Sequence, residues 1–114
     1  MELNQFLNQL KQQPESIEFA DTMAVIDALY EFTPVAFSNG EALNEANTNN
    51  GSCKIFAFGQ AQSLTEQETL ACFGAFYRDD VLINPDGNDH ANIRNFMVTG
   101  WGGVAFTAQA LSEK

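Results

Sequence analysis

Asn49-Asn50-Gly51-Ser52-Cys53-Lys54-Ile55-Phe56-Ala57-Phe58 is the stretch on which the fold of this chain turns. Its second half, Cys53 to Phe58, is short, apolar and β-favouring, and it follows an Asn- and Gly-rich segment that reads as a loop. It reads as the best strand in the chain. Upstream, Phe32-Thr33-Pro34-Val35-Ala36-Phe37 is also β-favouring, although Pro34 confines it to a sheet edge or a strand start. The two segments are expected to pair antiparallel across Ser38-Asn39-Gly40, a turn signal, and the polar residues 41–51. A connection of about fourteen residues is long for a hairpin, and long loops in compact domains are often functional.

Outward from this pair the pattern is helical. Leu3, Phe6, Leu7 and Leu10 recur at i, i+3, i+4 and i+7, which predicts an amphipathic helix ending before Pro14. Pro14-Glu15-Ser16 reads as a restart, with an acid near the positive end of the next helix. From Ile17 to Tyr30 apolar residues cover most of the circumference, as in a helix central to the core; a strand is the alternative for its Val25-Ile26 end. Thr65-Glu66-Gln67-Glu68 is a capping box, and the helix it opens is expected to reach about Arg78, with Leu70, Cys72, Phe73, Phe76 and Tyr77 on its apolar face. Asn84-Pro85-Asp86-Gly87 is a turn. Asn88 or Asp89 then caps a helix through Val98, with Ile93, Phe96 and Met97 inward, and Gly100 sits where a left-handed residue closes a helix. Val104-Ala105-Phe106 is a candidate third strand, and Ser112-Glu113-Lys114 is expected to fray. The fold class is α+β: one small domain over 1–114, about four helices packed on a two- to three-stranded antiparallel sheet.

Composition narrows the function classes. The chain has 114 residues, with 5 Lys+Arg against 15 Asp+Glu and a formal charge of −10. Domains run to about 100–150 residues, so a cofactor domain and a substrate domain do not both fit. With 45% hydrophobic residues and 10 Phe the chain can bury a core, which argues against disorder. Its five basic residues (Lys11, Lys54, Arg78, Arg94, Lys114) are scattered, so neither nucleic acid nor an anionic membrane is an expected partner. There is no apolar run long enough to span a bilayer, and the start Met1-Glu2-Leu3-Asn4-Gln5 lacks the features of a secretory signal peptide. Cys53 and Cys72 read as reduced thiols.

Cys53 and the single His90 supply a nucleophile–base pair in residue type, with Asp89, Asn92 or Asn49 to orient the imidazole. The structural alternative places Cys53 at a strand start and His90 at a helix start, packed against Ile93. Cys72, among apolar neighbours, reads as a small hydrophobe. No metal site is expected, because Cys53, Cys72 and His90 form no CxxC or HxxxH pair. Asp86-Gly87-Asn88-Asp89 lacks the order of a calcium loop and reads as a turn. Two polar segments remain: 44–54, with Asn49, Asn50 and Lys54, and 89–95, with His90, Asn92 and Arg94. Lys54 and Arg94 either buttress a carboxylate such as Asp27, buried in the fold, or hold an anionic ligand group. Asparagines bonded to loop backbone are the plain structural account of the first segment.

At these segments the chain resembles the HopJ type III effector family. The matching stretches include Phe19-Ala20-Asp21, Tyr30-Glu31-Phe32-Thr33-Pro34, Ala36-Phe37-Ser38-Asn39-Gly40, Asn49-Asn50-Gly51-Ser52-Cys53-Lys54-Ile55-Phe56, Thr69-Leu70-Ala71-Cys72-Phe73-Gly74, Asp89-His90 with Asn92-Ile93-Arg94-Asn95-Phe96, and Gly100-Trp101. The likeness covers about residues 1–110. It implies an effector of the kind that plant pathogens inject through type III secretion. It carries over no catalytic activity, catalytic residue or cofactor. The expectation is a protein that binds a host protein or a small anionic ligand at Asn49, Asn50, Lys54, His90, Asn92 and Arg94. A cytoplasmic ligand-binding protein of the bacterium is the alternative, and a Cys53–His90 enzyme a further one.

Overall fold

The computed structural model describes residues 2–114. Its organising element is the stretch 49–58, and it is not a strand. Asn50–Ala61 forms a helix of 12 residues, α3, with Cys53, Ile55, Phe56, Phe58 and Gly59 buried. The expected pairing of Cys53–Phe58 with 32–37 is therefore overturned. Residues i and i+3 share a helix face, so Cys53 and Phe56 lie on one side and Ile55 and Phe58 on another. The Phe56 ring packs on Phe37, Phe73, Phe96 and Trp101, while Phe58 packs on Phe6 and Tyr30. A helix covered on opposite sides has no polar stripe to reveal its period, and a six-residue window of it is indistinguishable from a buried strand.

The remaining elements wrap this helix. Helix α1 (Leu3–Gln12) buries Phe6 and Leu10, as its spacing predicts, and stops before Pro14. Helix α2 (Phe19–Leu29) buries Thr22, Val25 and Ile26, so the strand alternative for Val25-Ile26 does not hold. The Pro34 segment divides into two strands that serve different sheets. Strand β1 (Tyr30–Phe32) pairs antiparallel with β5 (Leu111–Glu113), Tyr30 opposite Glu113, and the Lys114 N–H donates to the Leu29 carbonyl. The end of the chain is thus tied down where fraying was expected. Strand β2 (Phe37–Asn39) is central in the second sheet, between β3 (Ala42–Asn44), across a tight turn at Gly40, and β4 (Val104–Phe106), the expected third strand. The α+β expectation holds, with two small sheets of two and three strands.

Thr65 caps α4 (Glu66–Ala71) through the Glu68 N–H, and the Glu68 carboxylate accepts from the Thr65 N–H. This helix does not reach Arg78. The Cys72 carbonyl accepts a buried hydrogen bond from Thr22 Oγ1, and Gly74 then turns the chain at φ +61°. A Cβ on Gly74 would lie 2.6 Å from the Phe19 backbone nitrogen, so only glycine lets the two segments close. Gly74→Ala should cost about 2 kcal/mol, strain and clash together, read as a lower urea midpoint with unchanged slope. Beyond it Phe76–Val81 forms a wide turn, closed by a Leu82 N–H to Tyr77 carbonyl bond five residues apart. Helix α5 (Ala91–Thr99) follows, and Gly100 ends it at φ +58° with ψ −151°, a positive φ as expected but outside the left-handed helical region.

Candidate functional site

The β2–β3 hairpin and the start of α5 meet through side-chain amides. Asn39 Nδ2 donates to the Asn92 carbonyl at 2.8 Å and to Asn92 Oδ1 at 3.1 Å. Asn44 and Asn92 exchange bonds, Asn44 Nδ2 to Asn92 Oδ1 at 3.1 Å and Asn92 Nδ2 to Asn44 Oδ1 at 2.9 Å. Asn49 Nδ2 joins at Asn44 Oδ1, 2.7 Å away. Asn39, Asn44 and Asn92 are buried, and asparagine suits the centre of the network because the Asn44 and Asn92 amides both donate and accept. Among the described residues Asn39 Oδ1 is the buried side-chain acceptor left without a partner.

On the outer side of this network lies a cleft of about 290 Å³. Asn44, Asn49, Asn92 and His90 line it, with Ser52 and Gly51 from the first turn of α3; Phe19, Phe73 and Phe76, with Ala42, Ala91 and Ile93, supply its apolar lining. Two helices start here. The residues that precede them, Asn49 and His90, have left-handed backbones (φ +39° and +51°), make no side-chain cap, and are followed by first turns without an acid. Left-handed backbone at a residue other than glycine costs of order 1 kcal/mol and occurs disproportionately at functional sites. His90 Nε2 lies 3.0 Å from Asp80 Oδ2, and its ring leans on Phe76 at 5.3 Å. The orienting acid is thus Asp80, with Asp89 Oδ2 farther off at 3.9 Å.

Of the residues singled out from the sequence, Asn49, His90 and Asn92 share the cleft. The others are engaged elsewhere. Asn50 Nδ2 donates to Asn47 Oδ1 within the loop. Lys54 pairs with Asp27 at 2.9 Å and sits 5.1 Å from the Phe32 ring centre, so the Asp27 buttress falls to Lys54; that carboxylate is exposed, not buried. Arg94, one turn from His90, swings back to staple the 84–89 turn. Its Nη2 meets Asp89 Oδ1 at 2.6 Å, and it donates to the carbonyls of Asp89 and Asn84. The guanidinium holds the Asp89 carboxyl below its ordinary range. Both cations expected to meet an anion are therefore paired with carboxylates. Asp80, Ser52 and the phenylalanines of the cleft were not singled out. Asp80 could have been suspected only from its place one turn of chain before the Asn84-Pro85 turn.

The Cys53 thiol is buried and directed at the Val35 carbonyl, 3.9 Å away, and burial raises its pKa. Cys72 is buried too, and desolvation with nearby Glu68 pushes its thiol up to about 12. A thiol kept protonated and covered is a poor nucleophile. Titration with a disulfide reagent at pH 8 should therefore count no fast-reacting thiol in the native protein and both after denaturation. Rapid modification of Cys53 in the native state would restore it as a candidate nucleophile. Among the described residues no group of three or more His, Cys, Asp or Glu side chains is placed to hold a metal ion, and no helix is long and apolar enough to cross a membrane.

No curated protein matches the chain. A crystal structure described as that of the unknown function protein VPA0580 superposes with a TM-score of 0.98 at 62% identity, covering 100% of this chain and 95% of the other. The family model described as HopJ type III effector protein matches residues 3–111, which span both helix starts, the amide network and every residue of the cleft. The chain belongs to the HopJ type III effector protein family.

Proposed function

We propose that the protein acts by binding, and that a small polar ligand with one apolar face is taken into the His90–Asn92 cleft. The observation that carries this reading is the convergence of Asn49 and Ser52, from the start of α3, with His90 and Asn92, from the start of α5, in one cleft that three phenylalanines also line. A few placed polar groups against apolar walls is the usual composition of a small-molecule site, and the volume suits a compact metabolite. An anionic group would be met by His90 and the free N–H groups of two helix starts, since Lys54 and Arg94 lie outside. The test is a thermal-shift panel of carboxylates, phosphate esters, amino acids and nucleosides, run on wild type and His90→Ala. A saturable rise in melting temperature with one class, lost in His90→Ala, is the expected result. A panel without a hit, or a hit indifferent to His90, would sink the assignment to this cleft.

Family membership favours a second reading for where such binding happens, inside a host cell after type III export. Residues 3–29 hold Phe6, Leu10, Ile17, Val25 and Ile26 in the core, so this segment serves as a secretion signal only if the fold is opened or not yet formed. Residues 1–30 and the full chain, each fused to a translocation reporter, should then transfer only from cells with a working type III apparatus. Absence of transfer by both would leave the ligand to be sought in the bacterial cytoplasm.

A further inference from the structure

The chain contains two Asn-Gly dipeptides, Asn39-Gly40 and Asn50-Gly51, and the fold places them in opposite circumstances. Asparagine before glycine is prone to cyclise, because glycine has no Cβ to shield its nitrogen and leaves the backbone free to turn. The reaction needs a mobile side-chain amide, an N–H that is not already donated, and a backbone able to rotate until the two meet.

At Asn39 all three are withheld. Its side chain is fully buried, and Nδ2 donates to the Asn92 carbonyl at 2.8 Å and to Asn92 Oδ1 at 3.1 Å. The Gly40 N–H donates to the Gly103 carbonyl at 2.9 Å. Strand β2 is held between β3 and β4, so cyclisation there requires the sheet and the amide network to come apart together.

Asn50, the first residue of α3, has none of this protection. Its amide makes one bond, Nδ2 to Asn47 Oδ1 at 3.3 Å, within the exposed loop. The hydrogen-bond ladder of α3 begins with the Cys53 N–H to the Asn49 carbonyl. The Gly51 N–H lies ahead of it and, among the described residues, has no acceptor. The first turn contains no acid and stands at the positive end of the helix dipole, which favours the deprotonated nitrogen that attacks. Helix ends fray, so Asn50 can leave its helical backbone angles without opening the core. Packing holds glycine at 51, since a Cβ there would lie 2.9 Å from Phe19 Cζ.

We propose that Asn50 is a site of spontaneous deamidation, through which the protein modifies the α3 side of its own cleft. The Gly51 nitrogen attacks Asn50 Cγ; the N–Cγ bond forms, the Cγ–Nδ2 bond breaks, and Nδ2 leaves as ammonia with the former Gly51 proton. Water then opens the resulting succinimide at either carbonyl, leaving aspartate or isoaspartate at position 50. Both products add a negative charge to the first turn of α3, beside Asn49, Gly51 and Ser52 of the cleft lining. Isoaspartate also adds a methylene to the backbone at that point. The reaction does not depend on what the cleft binds.

The test incubates the full chain at mildly alkaline pH, native and in urea, and follows the peptides containing residues 39 and 50 by mass spectrometry. Native Asn50 should gain one mass unit at a rate within about tenfold of the unfolded chain, because only a helix end has to fray. Native Asn39 should convert about a hundredfold or more slowly than native Asn50, and the two should become alike in urea. Isoelectric focusing should show a new, more acidic band from the wild type and none from Asn50→Gln, whose longer side chain cyclises poorly. A native Asn50 that stays as intact as Asn39, a native Asn39 that converts as fast as Asn50, or an acidic band that persists in Asn50→Gln would each overturn the proposal.

Discussion

Phe56→Ala should lose about 4 kcal/mol of folding stability, close to the upper end of what a single core truncation removes. The side chain is fully buried and its ring is surrounded by Phe37, Phe73, Phe96 and Trp101 at centroid distances of 4.9 to 6.4 Å. Two terms add. Lost transfer of the ring supplies about 2–3 kcal/mol, and the cavity adds more because the four neighbours belong to different elements and cannot all move inward. The single tryptophan makes the measurement direct, since Trp101 packs edge-on against both Phe56 and Phe96 and its fluorescence reports this side of the core. Urea denaturation followed at Trp101 should show a much lower midpoint. Phe76→Ala, at a ring 40% exposed, should lose far less. A Phe56→Ala loss under about 1.5 kcal/mol would contradict a core centred on α3.

The misreading of residues 53–58 and the importance of Phe56 have one origin. Helices α1 and α5 were legible because each has a wet side, so that Leu3, Phe6, Leu7 and Leu10, or Ile93 and Phe96, stand out at helical spacing. Helix α3 has apolar partners on opposite sides, and its period is hidden. The signal that could have found it lies downstream, where Ala57, Gln60, Ala61 and Gln62 carry the segment past Phe58 with helix formers despite Gly59, too long a run for a buried strand. The end of α4 was legible in principle at Gly74, an isolated glycine inside a helical pattern. Strand β5 was not, because what holds Leu111–Glu113 is β1, some eighty positions earlier, and no local pattern encodes that pairing.

The site divides in the same way. Residue types were readable: Asn49, His90 and Asn92 stood out as polar candidates beside a plain structural account, and all three line one cleft. Partners were not readable. Lys54 and Arg94 looked like anion-binding cations in a very acidic chain, yet that same acidity supplies each with a carboxylate within 2.9 Å. In a chain of this charge a lone cation finds an internal acid before a ligand does, so the polar non-ionic side chains carry more information about a site than the charged ones.

Asn92→Ala carries the second large effect, about 3 kcal/mol. The substitution removes no more volume than a few atoms, and its cost lies in what it strands. Asn39 Nδ2 keeps its bond to the residue 92 carbonyl and Asn44 Oδ1 keeps the Asn49 amide, but Asn44 Nδ2 loses its acceptor while remaining buried. Each buried polar group left unpaired costs about 1–3 kcal/mol, far more than the net worth of the bond while it exists. Ser52→Ala, which also touches the cleft but strands nothing in the network, should stay within about 0.5 kcal/mol of wild type. The pair separates two accounts of the amides. If Asn92→Ala falls by the full amount, the network is a structural strut that fixes the hairpin against α5 and holds His90 and Asn49 at the mouth of the cleft. If it falls by less than about 1 kcal/mol, water already reaches Asn39 and Asn44 through the cleft, and their amides are then available to a ligand that displaces it.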